Sequence, residues 1–202
     1  MHNEKAIPDT PITIEVYSDS IIKRYNIQSG DSDVQREKFK RELSAYKRFD
    51  ELKVDFVPEL ISYNEESLSL TIERIDGPNL SELLETCSEY DLVSIIDQII
   101  EIDSFLYKNR INSLHISPTD FIYHKDKNRL YIIDFEYTYL NRYFQQILLD
   151  QMFRPRIQRI ENARCRDKFL NLVIKRKKDV ILYKPRKVFY YLSALLGLQR
   201  KK

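Results

Sequence analysis

The feature that most constrains the fold is a pair of short apolar runs around a polar turn, with an aspartate at each outer end. The runs are Phe121–Tyr123 and Leu130–Ile133, and the six residues between them are all polar. Apolar runs of this length on either side of a polar turn predict a β-hairpin. Asp120 precedes the first run and Asp134 follows the second. Antiparallel pairing would bring both carboxylates to one end of the hairpin, where their oxygen atoms suit a hard divalent cation such as Mg²⁺.

The residues around this hairpin resemble the signature of the protein-kinase-like phosphotransferases. Residues 113–120 align without a gap with the family's catalytic loop, H-x-D-x-x-x-x-N. Asp134-Phe135-Glu136 matches the D-F-E motif of the small lipopolysaccharide, aminoglycoside and choline-type kinases. The resemblance implies that Asp120 and Asp134 bind Mg²⁺ and that Asp134 is also catalytic.

The same alignment shows three departures from the family's loop. His115 takes the place of the catalytic aspartate, Ser113 that of the histidine before it, and Asp120 that of the metal-binding asparagine. Asp120 keeps an oxygen ligand and adds charge. A neutral imidazole at position 115 can accept a proton near neutral pH, so His115 is either the catalytic residue or a replacement in a chain that no longer catalyses.

A second predicted hairpin carries a lysine in the middle of its second strand. The strands are residues 12–17 and 21–25, and the lysine is Lys23. In the resembling family, a lysine here reaches the α- and β-phosphates of ATP and is held by a glutamate of the next helix. Lys23 is therefore the phosphate-binding candidate, and a solvent-facing lysine on an edge strand is the alternative.

The helix that follows is predicted over residues 34–52, from apolar residues at helical spacing, with Ser32 or Asp33 as its N-cap. Glu42 lies beside the apolar stripe of this helix, and we expect its carboxylate to pair with Lys23 and orient the ammonium group. The alternative is local pairing, for which the helix offers three partners: Lys38, Arg41 and Tyr46.

Residues 56–63 and 67–75 predict two more strands, which the turn Asp76-Gly77-Pro78 brings to an end. The run from Glu73 to Leu80 resembles the hinge of small kinases, whose backbone binds adenine. Glu73 and Ile75 are therefore nucleotide-binding candidates, although Gly-Pro also marks ordinary strand-to-helix turns. No glycine precedes Gly30, so the glycine-rich phosphate loop of the family is missing and the nucleotide would be poorly covered.

The net charge of +2 hides a division between the body and the C-terminal part. Residues 153–202 contain 16 Lys and Arg against 3 Asp and Glu, a net charge of +13, which leaves residues 1–152 with 17 against 28, or −11. Within the basic part, the apolar run 188–198 has cations on both sides. This pattern predicts that residues 184–202 bind an anionic membrane surface. Nucleic acid is a less favoured partner, and packing of the run on the body is the third alternative.

Cys87 and Cys165 lie far apart without metal-ligand spacing, so we expect both to be reduced. The N-terminus lacks the apolar core of a signal peptide, and no apolar run is long enough to span a bilayer. We therefore expect a cytoplasmic protein, with peripheral attachment to the inner face of the membrane as an option. Only 66 residues follow Glu136, which favours a reduced kinase for small acceptors over a regulated protein kinase.

These features predict an α+β, two-lobed protein-kinase-like fold with a small N-terminal antiparallel sheet plus one helix and a shortened, mainly helical C-terminal lobe. We expect the N-lobe at residues 1–76, the C-lobe at 77–152 and a basic helical extension at 153–202. The predicted function is transfer of phosphate from ATP, with Mg²⁺, to a hydroxyl of a glycan, lipid or small molecule. The alternative is a catalytically impaired pseudokinase that binds nucleotide or a partner.

Overall fold

The computed structural model describes residues 11–28, 31–86, 92–113 and 116–141, together with residues 165, 167–169 and 171–172. A four-stranded antiparallel sheet forms the N-terminal part. Its strands are β1 (Ile12–Val16), β2 (Ser20–Tyr25), β3 (Leu60–Asn64) and β4 (Ser69–Glu73), in the order β1-β2-β4-β3. The alternating apolar residues of these runs fit a sheet with one face packed on a core.

Helix α1 (Ser32–Glu51) packs against this sheet through a stripe of apolar side chains at helical spacing. The buried members of the stripe include Phe39, Leu43, Tyr46 and Phe49. The helix begins two residues before the predicted start, and its N-cap is Asp31. The extended backbone of Asp31 lets its side chain accept a hydrogen bond from the N–H of Asp33.

The C-terminal part contains two helices followed by short antiparallel pairs. The helices are α2 (Leu80–Thr86) and α3 (Leu92–Lys108), and the strands are β5 (Asn112–Ser113), β6 (Phe121–His124), β7 (Arg129–Ile132) and β8 (Thr138–Tyr139). Strand β5 pairs with β8, and β6 pairs with β7 around the predicted polar turn. Helix α3 buries a broad apolar face that includes Ile95, Ile96 and Ile99, which gives the second lobe its helical core.

The two lobes are connected by a segment that packs closely on the β6–β7 hairpin. Gly77 has φ +155°, and a Cβ placed there would lie 2.0 Å from the carbonyl oxygen of Tyr123. The N–H of Tyr123 also donates to the carbonyl oxygen of Pro78 at 3.0 Å. From the other side, the N–H of Ile132 donates to the carbonyl oxygen of Phe56 at 2.9 Å. The hairpin is therefore bonded both to the connecting segment and to the N-terminal lobe.

Cys165 is buried and disulfide-bonded, so the expectation of reduced cysteines is wrong for this residue. The separation of two cysteines along the chain does not report their distance in space, and the prediction rested on that separation. Cys87 is the only other cysteine in the sequence, and it lies outside the described residues. In the described part of the chain, none of the helices is long and apolar enough to cross a membrane.

Candidate nucleotide and metal site

Lys23 lies where three elements meet. Its side chain is 10% exposed, and its ammonium group donates to both carboxylate oxygens of Glu42 at 2.9 Å. The same group donates to Oδ1 of Asp134 at 3.1 Å. Strand β2, helix α1 and the loop after β7 therefore converge on one positive charge.

Glu42 is fully buried, and protein donors surround its carboxylate. Besides Lys23, the Tyr25 hydroxyl donates to Oε2, and the N–H of Phe135 donates to Oε1 at 3.4 Å. Burial alone would lower the pKa of Lys23, but the nearby Glu42 and Asp134 carboxylates outweigh it and raise that pKa. Burial, reinforced by the Glu42 charge, raises the pKa of the Tyr25 hydroxyl. The ammonium group therefore stays charged, and the tyrosine stays neutral.

The local alternatives for Glu42 are not formed. Lys38 pairs instead with Glu136 at 3.1 Å, and Arg41 lies 3.6 Å from Glu37. The Tyr46 hydroxyl is buried and has no hydrogen-bond partner among the described residues. Glu42 therefore pairs with Lys23, which lies 19 residues away in the sequence. It does not pair with Lys38 or Arg41 of its own helix.

Asp120 ends a 3₁₀ turn, Pro118–Asp120, immediately before β6. Its Oδ2 accepts the N–H of Ser117 at 2.7 Å, and its carbonyl oxygen accepts the N–H of Ile133 at 2.8 Å. Burial raises the pKa of the Asp120 carboxyl against the hydrogen bond from Ser117, and the Asp134 carboxylate adds to the increase. Since Ile133 directly precedes Asp134, the two predicted metal ligands lie at the same end of the hairpin.

Asp134 follows β7 with a left-handed backbone, φ +69°, and its side chain is 43% exposed. A non-glycine residue in this region is held there by surrounding contacts. Within the described residues, no cluster of three or more His, Cys, Asp or Glu forms a complete metal cage. Mg²⁺ commonly uses one or two carboxylates and takes its other ligands from phosphates and water. Asp120 and Asp134 fit that donor set.

The face of the sheet that carries Lys23 continues as an apolar surface toward the β1 edge. Ile14 is paired with Lys23 and Val16 with Ile21, and residues directly opposite in an antiparallel pair share a face. Ile14 is 55% exposed and Val16 is 45% exposed, although Lys23 beside them is buried. This exposed apolar surface next to a buried ammonium group was missed at the sequence level. The alternating apolar residues of β1 indicate that Ile14 and Val16 share a face. Only the register between β1 and β2 shows that this face also carries Lys23.

The predicted hinge residues lie at the end of β4 and just beyond it. The Glu73 carboxylate contacts the Lys127 ammonium at 3.3 Å and accepts the N–H of Glu59 at 3.3 Å. Ile75 is buried. The backbone N–H and C=O of Ile75 form no hydrogen bond within the described residues. The backbone of Ile75 is thus unbonded within the described residues, whereas both carboxylate oxygens of Glu73 already have partners.

Two predicted functional segments lie outside the described residues. They are His115 and the basic part from residue 173 onward, which includes residues 184–202. Ser113, two residues before His115, is buried, and its hydroxyl forms a hydrogen bond of 2.8 Å with that of Thr138. The loop is thus anchored at its start.

No protein-family model matches the chain, and no curated protein matches it in sequence. Solved structures of WbdD do match in fold. A high-resolution WbdD crystal structure has a TM-score of 0.58 and 15% identity, and the match covers 88% of this chain and 46% of that one. A co-crystal structure of WbdD with a kinase inhibitor has a TM-score of 0.55 and 14% identity, and the match covers 88% of this chain and 45% of that one. A medium-resolution structure of the bifunctional kinase-methyltransferase WbdD has a TM-score of 0.50 and 19% identity, and the match covers 65% of this chain and 30% of that one.

The chain therefore spans less than half the length of these structural neighbours. At such low identity, the likeness concerns the fold alone. This likeness agrees with the described elements, which are an antiparallel sheet, a single helix packed on it and a second part that contains two helices. Together they show the fold class. The chain has an α+β, two-lobed, kinase-like fold.

Proposed function

We propose that the chain is an ATP-dependent, kinase-like phosphotransferase that acts on a hydroxyl of a glycan, lipid or small molecule. The observation that carries this proposal is the buried Lys23, which contacts both Glu42 and Asp134. A lysine held between a helix carboxylate and a loop carboxylate is the arrangement by which kinases position phosphates. Packing alone does not explain why carboxylates from two separate elements both contact the Lys23 ammonium group.

In this proposal, Lys23 binds the phosphates of ATP and Glu42 fixes the direction of the ammonium group. Asp120 and Asp134 hold Mg²⁺, which neutralises charge on the phosphates when it is bound. Because phosphoryl transfer depends mainly on positioning and electrostatics, these four side chains account for most of the required chemistry. His115 would orient the acceptor hydroxyl.

The adenine ring would lie under the exposed apolar residues Ile14 and Val16 and against the backbone of the segment from Glu73 to Ile75. An apolar roof with one backbone donor and one acceptor is typical of a pocket for a flat, polar-edged ring. The absence of glycine before position 30 predicts weak coverage of the phosphates. We therefore expect modest affinity for ATP.

The acceptor class is supported by the D-F-E motif and by the likeness to WbdD, which is described as a kinase-methyltransferase. The alternative is a pseudokinase, favoured by the loss of the family's catalytic aspartate at position 115. His115→Asp separates the two. Under the pseudokinase reading this change creates or strongly raises turnover, and under the kinase reading it lowers an existing activity.

The first experiment is a thermal-shift titration with ATP and Mg²⁺, followed by an ATP-turnover assay with glycan, lipid and small-molecule acceptors. The wild-type chain, Lys23→Met and Asp134→Ala are compared with Lys40→Met, which removes an exposed lysine of α1. We expect turnover in wild type and Lys40→Met and none in the other two. No turnover with any acceptor, water included, would exclude the kinase.

We also propose that residues 184–202 attach the protein to an anionic membrane surface. The proposal is supported by the +13 net charge of residues 153–202 and by the apolar run 188–198. Sedimentation with anionic and neutral vesicles tests it. Binding should require anionic lipid, weaken with salt and disappear on truncation after Lys187. Nucleic-acid binding that survives this truncation, without vesicle binding, would contradict it.

A further inference from the structure

The three residues of the D-F-E motif all contact α1 or the lysine that α1 holds. Asp134 pairs with Lys23, and the N–H of Phe135 donates to Glu42. The Phe135 ring packs on Tyr46 and Phe49, with centroid distances of 5.3 and 4.9 Å. The α1 residues that take part are spaced by one turn each: Lys38, Glu42, Tyr46 and Phe49.

The first contact of that stripe is an ion pair between Lys38 and Glu136. Its atoms lie 3.1 Å apart, and the side chains are 15% and 11% exposed. Low exposure strengthens the attraction between the two charges, and removing one partner would leave the other charge poorly solvated and uncompensated. Glu136 is thus fixed to the N-terminal half of α1, one turn before Glu42.

The residues after Glu136 extend the same attachment. The Lys38 ammonium lies 4.9 Å from the centroid of the Tyr137 ring, and the Arg41 guanidinium lies 4.8 Å from that of Tyr139. Cations at these distances over aromatic rings are attracted to them. Thr138, between the two tyrosines, instead bonds Ser113 at the start of the loop that contains His115. The segment therefore connects α1 to that loop.

We propose that the Lys38–Glu136 pair is a built-in tether that holds α1 where Glu42 meets Lys23, so that the site is assembled without phosphorylation or a partner. This inference rests on the proposed function and adds the regulation of the same site. In regulated kinases, the position of this helix is controlled by a phosphate on the activation segment. Here a carboxylate encoded in the sequence supplies the fixed negative charge.

The backbone of Asp134 shows why an anchor is needed close by. Its left-handed conformation, φ +69°, is unfavourable for a residue with a side chain and persists only where neighbouring contacts enforce it. Lys23 holds Asp134 itself, and Phe135 is held by Tyr46 and Phe49. The tether holds the far side of the same turn, so its loss should release both the turn and the first half of α1.

The test compares Lys38→Met, the milder Glu136→Gln and the charge-swapped Lys38→Glu/Glu136→Lys with the matched control Lys40→Met. Measurements are kcat, the KM for ATP, and hydrogen exchange of the amides of Phe135 and Glu136. We expect Lys38→Met to lower kcat and speed exchange by about tenfold, the order expected for one charge-assisted hydrogen bond. KM for ATP should change little, because the tether contacts neither the apolar roof nor the predicted hinge.

The swapped variant should regain most of the lost kcat, which a residue needed only for packing would not allow. If Lys38→Met does not fold, Glu136→Gln is compared with Lys40→Met in its place. Values of kcat and exchange equal to those of the control would overturn the tether. If the wild type neither binds ATP nor turns it over, the proposed function fails. In that case, the hydrogen-exchange rates of the Phe135 and Glu136 amides alone decide whether the tether exists.

Discussion

Glu42 and Lys23 are joined twice, with both carboxylate oxygens 2.9 Å from the ammonium nitrogen and no solvent access to Glu42. We predict that Lys23→Met lowers the free energy of unfolding by about 3 kcal/mol, because it leaves a buried carboxylate without its cation. The double variant Lys23→Met/Glu42→Gln should lose less than the sum of the single losses. Urea denaturation of the four proteins measures this coupling. Strict additivity would contradict an energetic link between the two residues.

The metal ligands should differ in their sensitivity to amide substitution. We predict that Asp134→Asn raises the Mg²⁺ concentration needed for half-maximal ATP binding by roughly tenfold or more, since the more exposed carboxylate loses its charge. Asp120→Asn should have a smaller effect, because it restores the asparagine that the resembling kinases use as a metal ligand at this position. Asp126→Asn, in the exposed turn at the other end of the hairpin, is the control. Equal effects of all three changes would argue against a metal site at Asp120 and Asp134.

The apolar roof predicts a defect confined to nucleotide affinity. Val16→Ser should raise the KM for ATP by roughly fivefold, the order expected when contact with one apolar side chain is lost. The value of kcat should stay near that of wild type, because Val16 pairs with Ile21 and not with the phosphate-binding candidate Lys23. Ile61→Ser, which changes a similarly exposed apolar residue on β3, is the control. A fall in kcat at unchanged KM would refute the role of the roof.

Two buried tyrosines on the same helix–sheet interface should respond oppositely to loss of the hydroxyl. The Tyr46 hydroxyl has no partner within the described residues, so Tyr46→Phe should leave stability unchanged or raise it by up to about 1 kcal/mol. The Tyr25 hydroxyl donates to Glu42, so Tyr25→Phe should cost about 1–3 kcal/mol. Thermal unfolding at one pH compares them. A loss of stability in Tyr46→Phe as large as that in Tyr25→Phe would show that Tyr46 has a partner.

Alkaline pH should weaken the fold through the same buried cluster. Burial raises the pKa of Tyr25, and neighbouring carboxylates raise the pKa of Lys23 against its burial. Both groups therefore keep their protons in the folded state above the pH at which the unfolded chain releases them. Stability should be fully present below about pH 10 and fall as the pH rises further. Tyr25→Phe should flatten this decline, whereas Tyr63→Phe, on the exposed strand β3, should leave it unchanged.

The local patterns of the sequence were sufficient for α1, for the four strands of the N-terminal sheet and for the β6–β7 hairpin, whereas the two-residue strands β5 and β8 were not predicted. The β6–β7 hairpin and its flanking aspartates follow from two apolar runs, and the Lys23–Glu42 contact was expected from the family's order of lysine and helix glutamate. These features depend on neighbouring residues or on a motif with fixed spacing. Their detection therefore required no knowledge of tertiary contacts.

Other contacts depend on packing that no local pattern reports. Lys38 was considered only as a partner for Glu42 within the helix, but it pairs with Glu136, 98 residues away. The disulfide bond of Cys165 and the shared face of Val16 and Ile21 also depend on how distant segments meet. In each case, the residue type was compatible with several partners, and the tertiary fold selected one.

The close approach of Gly77 to Tyr123 limits how this chain can change during evolution. Most turns tolerate several residue types, and core positions accept other apolar side chains of similar volume. At position 77 even a methyl group would occupy the space of a carbonyl oxygen. A substitution there must shift either the connection between the lobes or the strand that leads from Asp120. Related sequences should therefore tolerate changes of the proposed nucleotide-binding side chains more readily than a side chain at Gly77.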